Sequence, residues 1–246
     1  MFRWAVENEY VGVNVFSTLA TVAGLRTGRS DAAESDPVKP VPVSFVDAIE
    51  PHVTRQIWGM IQVQHFTGMR PCEITAIWGC DLNMSSDVWE YVPKSHKTEH
   101  HGKDRIIFIG PKAQAVLRSF LKTNLQAFLF SPVDARREFD ERRKANRKSP
   151  MTPSQRARQR KTEPKKQPGE RYTTASYGYA IRNACKLAGV PNWSPNQLRH
   201  NAGTEVRRRF GIEAARTVLG HASADVTEIY AEKDHDLARS IMAKIG

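Results

Sequence analysis

Cysteine is scarce in this 246-residue chain: Cys72, Cys80 and Cys185 are odd in number, scattered and free of CxxC spacing. Neither a disulfide framework nor a structural zinc site is suggested, and the three are expected as reduced core or boundary residues. Long apolar runs are absent as well. None approaches the ~20 residues needed to span a bilayer, and no basic segment followed by an apolar core opens the chain. A soluble, cytoplasmic protein without a membrane partner is the expectation. Acidic residues are under-represented, 26 Asp plus Glu against 37 Lys plus Arg, for a net charge of +11. That excess is the footprint of a polyanion binder, with nucleic acid ahead of an anionic membrane surface. Finally, hydrophobic residues nearly vanish between 134 and 171, where 14 Lys or Arg face six acids and supply +8 of the +11. The composition predicts a long, basic, poorly ordered insertion, either a phosphate-contacting arm or a passive linker.

What is present suffices for a core, since 40% of residues are hydrophobic. Residues 1–10 carry Phe2, Trp4, Ala5 and Val6 in a short helix-like segment, and "GLRTGRSDAAESDPVKPVPV" (24–43) has the composition of a linker or strap. A compact domain is expected from Ser44 onward. Ile57, Met60, Ile61, Gln64 and Phe66 recur at helical spacing until Gly68, and a second helix is predicted from Pro71 through Ile74, Ile77 and Trp78 to Gly79. "VWEYVP" (88–93) and "RIIFIG" (105–110) read as strands around a polar hairpin tip. Helical spacing returns over 112–123 with Ala115, Val116 and Phe120 inward, then in "TTASYGYAIRNACKLAGV", around Arg199, over "IEAARTVLG", in "SADVTEIY" and in the tail "DLARSIMAKI". The fold class that follows is mostly α with a small antiparallel β-sheet (α+β).

Polar groups stand at the boundaries of several of these elements: Arg70 in "TGMRPCEI", lysines in the hairpin, Arg199 in "NQLRH", and His221 in "LGHASADVTEIY", which ends at Tyr230. In that order, "TGMRPCEI", "HKT", "LRH" and "LGHASADVTEIY" resemble the signature of the tyrosine recombinases, or phage-type integrases, over roughly residues 44–246. The resemblance implies their catalytic-domain fold and a cofactor-free cleavage and rejoining of double-stranded DNA. Tyr230 would attack a phosphodiester, leaving a 3′-phosphotyrosine and a free 5′ hydroxyl. Four protomers would act on two duplexes through a Holliday junction, with a monomer allowed in the absence of DNA. The segment 1–16 resembles the end of the family's N-terminal core-binding domain, 17–43 being a linker and the chain a fragment, and the expected setting is cytoplasmic and nucleoid-associated.

The chemistry suits those residues. Two guanidiniums, Arg70 and Arg199, match the charge that builds on the phosphate oxygens. A tyrosine with an ordinary pKa near 10 is a poor nucleophile until cations favour its deprotonated form. A hairpin lysine can protonate the departing oxygen. Lys97 is chosen because its "KT" context resembles the family's, with Lys94 and Lys103 as rivals and as DNA contacts. His221 would bond a phosphate oxygen, Glu73 resembles the acidic buttress of the arginines, and His200 resembles a support residue. Arg207, Arg208 and Arg209 read as helix-surface charges near DNA. One position departs from the pattern: Asn196 stands where the family usually has histidine, so an amide hydrogen bond replaces a titratable group. His96, His100 and His101 lack the companion carboxylate or cysteine that a metal site would need, so no metal is assigned. A type IB topoisomerase-like relaxing enzyme and a non-catalytic DNA-binding protein of the same fold stay open, as does a helix-turn-helix reader built on "EVRRRF".

Overall fold

The computed structural model describes residues 1–25, 31, 33, 38–94, 105–158 and 167–220. Lys97, Lys103, His221, Tyr230, the hairpin histidines and the helices expected in "SADVTEIY" and "DLARSIMAKI" lie outside them. The chain divides into two compact units, Met1–Val38 and Lys39–Gly246. In the first, α1 (Phe2–Glu7) and α2 (Val13–Ala20) flank a turn closed by Trp4 stacking on Tyr10 at 5.5 Å.

In the second unit α3 (Val43–Ala48) precedes α4 (Arg55–Thr67), whose N-cap Thr54 accepts a bond from the Ile57 amide. Ile57, Met60, Ile61 and Gln64 are buried as the spacing predicts. Phe66 is not, with 45% exposure, because two residues past Gln64 is more than half a turn around the helix. After Gly68, α5 covers only Pro71–Thr75. Ile77 and Trp78 belong instead to extended chain: the Leu129 amide donates to the Ile77 carbonyl at 3.0 Å and Trp78 bridges Phe128. The expected second helix is therefore cut short by backbone pairing that its local pattern does not reveal.

The sheet runs β1 (Leu82–Asn83), β2 (Trp89–Tyr91), β3 (Ile107–Ile109), antiparallel, with Leu82 opposite Tyr91 and Tyr91 opposite Ile107. Alternation puts Trp89, Tyr91, Ile107 and Ile109 into the core and Phe108 outward. In α6 (Pro111–Arg118) the buried stripe is Ala113, Gln114 and Leu117, leading to Phe120, with Val116 partly buried against the core as expected; the expected inward placement of Ala115, which is exposed, is corrected. The stripe was concealed by a polar residue: buried Gln114 Nε2 donates to the carbonyls of Asp87 and Ile109 at 2.6 and 2.9 Å.

Where composition predicts a poorly ordered insertion, α7 (Pro132–Ala145) and α8 (Pro153–Ala157) form. The acids of α7 tie it down. Glu138 accepts from Arg55 Nη1 and Gln56 Nε2, and Asp134 pairs with Lys122 and Arg137. The chain closes with α9 (Thr174–Ala188), α10 (Pro195–Phe210) and α11 (Ile212–Leu219). The strap at 39–41 is held on α10, as Gln197 Nε2 donates to the Lys39 carbonyl and Asn201 bonds both the amide and carbonyl of Val41. No described helix is long and apolar enough to cross a membrane.

Candidate active site

Two helix ends and one strand start converge where α4 stops. Gly68 caps α4 with φ +66, and a Cβ there would press on Leu219 Cδ2 at 2.9 Å and Ala202 Cβ at 3.0 Å. Only glycine satisfies both the left-handed backbone and the close approach of α10 and α11. Arg70, two residues on, is the N-cap of α5. The Glu73 carboxylate turns back in a capping arrangement: Oε2 accepts from the Arg70 amide at 2.6 Å, and Oε1 accepts from Arg70 Nη1 at 2.9 Å. Glu73 has no side-chain exposure, whereas Arg70 keeps 20%. Tyr91 on β2 donates from its hydroxyl to the Glu73 backbone carbonyl at 3.0 Å, so the sheet steadies α5.

Arg199 approaches from α10. It is among the largest fully buried side chains of the described residues, donating from Nη1 to the Gly68 carbonyl at 2.7 Å and from Nη2 to the Leu219 carbonyl at 2.6 Å. The second bond satisfies a carbonyl at the negative end of α11. A guanidinium held at both Nη atoms is fixed in orientation before any ligand arrives. Residues 129 positions apart, Arg70 and Arg199, are thus joined through Gly68.

Sequence reasoning missed Arg105. It enters just ahead of β3 and is 6% exposed; Nε faces Glu73 Oε1 at 3.4 Å and Nη1 faces the Val218 carbonyl at 3.5 Å. The signal available was an arginine at the border of a hydrophobic strand, a position that reads as solvated until the fold is known. Burial lowers its pKa from the ordinary arginine value, with the Glu73 charge opposing.

The other nominated residues are placed as follows. Asn196 is half-buried in the first turn of α10, whose start is fixed by Ser194 and Gln197 in a reciprocal cap and by Pro195. His200 is buried on the same helix at 3% exposure. Lys94 lies over the Trp78 ring at 3.7 Å and 3.5 Å from Asp81, committed to neighbours of its own. Glu205 pairs with both Arg208 and Arg209, and Arg207 is half-buried. The three cysteines are free, and among the described residues no group of His, Cys, Asp and Glu could hold a metal ion.

The tyrosines sort by burial. The Tyr91 hydroxyl is pushed far up by burial, with Asp81 and Glu73 adding to the effect. Tyr177 is pushed up by burial alone and donates to Gln64 Oε1, and Tyr172 is raised too, chiefly by burial. Tyr91 and Tyr177 are structural donors, and burial makes all three unfit as nucleophiles near neutral pH.

Comparison with known proteins gives this arrangement a context. Solved structures of the same fold include the XerA recombinase, 18% identical with a TM-score of 0.55, over 98% of this chain and 78% of that one. The Tn1549 transposon integrase in complex with circular intermediate DNA is 17% identical with a TM-score of 0.59, over 98% and 74%. A lambda integrase dimer bound to a COC′ core site is 13% identical with a TM-score of 0.60, over 94% and 69%. No curated protein sequence matches the chain. The sequence profile of the phage integrase family matches residues 44–236, a span that holds Arg70, Glu73, Arg105 and Arg199 and most of the second unit, and the chain belongs to that family.

Proposed function

We propose that the protein is a site-specific DNA recombinase that cuts and rejoins strands through a 3′-phosphotyrosine on Tyr230. The observation that carries this is that Arg199 is anchored on the Gly68 carbonyl, two residues before Arg70, whose own guanidinium is held by Glu73, so two oriented guanidiniums from separate motifs are tied to one turn within the family's span. Such an arrangement suits an anion that gains charge in the transition state, because the donors need no reorganisation when the charge develops. The described tyrosines favour Tyr230 by default. Tyr91, Tyr172 and Tyr177 are buried, while Tyr10 and Tyr179 are exposed and belong to none of the motifs that resemble the family's signature, whereas Tyr230 closes "LGHASADVTEIY".

In this reading Tyr230 attacks phosphorus, its proton passes to solvent or a neighbouring base, and the 5′ oxygen leaves with a proton from Lys97. Arg70 and Arg199 hold the equatorial oxygens, with His221 and Asn196 as further donors. No metal takes part. A 5′ hydroxyl from a partner strand then attacks the phosphotyrosine and releases Tyr230, so the bond count is conserved and no cofactor is consumed. The relatives' DNA complexes support double-stranded DNA as substrate and the lambda integrase dimer supports assembly on DNA, here as a tetramer at a Holliday junction.

The test is a suicide duplex nicked so that the 5′ hydroxyl diffuses away. Wild type should accumulate a covalent protein–DNA adduct, and Tyr230→Phe should form none while binding the duplex with nearly unchanged affinity. An adduct from the Phe variant would remove Tyr230 from the mechanism, and no adduct from wild type would remove the mechanism. A two-duplex strand-exchange assay then separates recombination from relaxation of one duplex.

A further inference from the structure

We infer that Arg105 is an electrostatic positioning residue of the DNA-cleaving site: its buried charge keeps the Arg70–Glu73 pair net positive toward a bound phosphate. The inference rests on the recombinase reading above.

Glu73 is a fully buried carboxylate shared by two guanidiniums. Arg70 takes the better geometry, through its amide at 2.6 Å and Nη1 at 2.9 Å. Alone, that pair would be neutral, and a phosphate arriving at Arg70 would meet a cation already cancelled by its own anchor. Arg105 supplies the second positive charge, so one buried anion serves two cations and the cluster stays at +1.

The geometry of Arg105 identifies charge as what the position uses. Each of its described hydrogen bonds is long: 3.4 Å to Glu73 Oε1, 3.4 Å to its neighbour's carbonyl at Ile106 and 3.5 Å to the Val218 carbonyl. Nη2 is buried with no partner among the described residues. An arginine kept for its donors would not leave one orphaned and three stretched, since an unmet buried donor is costly. Charge, by contrast, acts over these distances without alignment, and more strongly in a site of low effective dielectric. The space is also kept for it: Gly220 closes α11 at φ +64, and a Cβ at that position would overlap Arg105 Nη1.

The experiment compares wild type, Arg105→Lys, Arg105→Gln and the double variant Glu73→Gln/Arg105→Gln. Single-turnover cleavage of the nicked duplex is measured at saturating DNA, together with Kd for the uncleaved duplex and the melting temperature. If charge is what matters, Arg105→Lys stays within about tenfold of wild type. Arg105→Gln, which retains a donor but no charge, should lose about 10²-fold in cleavage rate, the scale of one transition-state contact. Its Kd should move only a few-fold, because one buried charge among many surface cations contributes little to duplex affinity. The double variant removes anion and cation together, restores the cluster to +1, and should recover at least tenfold over Arg105→Gln. If Arg105→Gln does not fold, Arg105→Lys, which keeps Glu73 and its bonds to Arg70, decides: a rate within about tenfold of wild type supports the inference and a larger loss overturns it. Arg105→Gln cleaving like wild type, or Arg105→Lys falling as far as Arg105→Gln, would overturn it while leaving the recombinase reading intact. A wild type that forms no adduct would overturn both.

Discussion

At the scale of single residues the site is organised around one buried carboxylate. Glu73 has no side-chain exposure and accepts from the Arg70 amide and guanidinium, with Arg105 at longer range. Replacing it with Gln leaves two guanidiniums, one of them deeply buried, beside a neutral amide. Breaking a buried pair in this way typically costs about 3 kcal/mol or more. Glu73→Gln is therefore expected to lower the melting temperature well beyond a surface substitution and to loosen Arg70, slowing cleavage; a melting curve matching wild type would show that the capping bonds contribute little. Asn196 allows a finer question. It sits in the first turn of a 16-residue helix, where an amide can donate to a phosphate oxygen without titrating. Asn196→Ala should slow single-turnover cleavage by one to two orders of magnitude, and Asn196→His should change it little across pH 6 to 9. A gain in the His variant that follows the imidazole's titration near a pKa of about 6.5 would instead assign the position a proton-transfer role. Most of these residues were legible because their neighbours in sequence are distinctive: Arg70 with Glu73 in "TGMRPCEI", Arg199 with His200 in "NQLRH". Arg105 was not, since its partners Glu73 and Val218 lie 32 residues before it and 113 after it, and only the fold brings them together.

At the scale of elements the junction depends on how α11 ends. Two arginines from different parts of the chain face its last carbonyls, Arg199 at Leu219 and Arg105 at Val218, and Gly220 terminates it in the left-handed region. Gly220→Ala combines an unfavourable positive φ with overlap on a buried guanidinium. The expected cost is about 1–3 kcal/mol of stability, the range for a strained backbone position. The substitution should also displace Arg105, reducing cleavage more than a Gly→Ala change at Gly189, whose φ is equally positive but whose added Cβ would meet nothing within 4 Å. Equal effects at the two positions would mean that backbone strain alone matters. Elements with strong end signals were readable in advance: α4 from its apolar spacing and Gly68, α9 from Thr173 and Gly189, α11 from Gly220. The exposure of Phe66 follows from helix geometry alone, but three other errors share one cause, an interaction the local pattern cannot contain. Pairing between Ile77 and Leu129 ends α5 early, backbone carbonyls draw Gln114 into the core, and Glu138 bonded to Arg55 and Gln56 orders α7 where composition suggested little structure.

For the whole molecule the governing quantity is charge, +11 overall with +8 contributed between residues 134 and 171. Deleting that entire stretch would be a poor experiment, because the first half of α7 is pinned to the rest of its unit by Asp134 and Glu138, and its loss would strip bonds from Lys122, Arg55 and Gln56. The cations that end the helix, Arg142, Arg143 and Lys144, are exposed, as is Lys148 just beyond. Changing these four to Gln keeps the helix's anchors while removing four positive charges. If the stretch binds phosphates, the slope of log K against log salt should flatten by up to about 0.9 for each phosphate no longer neutralised on duplex DNA, and affinity should fall alike for target and unrelated sequences. Cleavage at saturating DNA should not change, because the arginine junction is built from other elements. An unaltered salt slope would make the helix a structural insertion whose charge only adds to the long-range field. A loss confined to the target sequence would instead assign these side chains a part in reading bases, for which the groove-facing donors of arginine are suited.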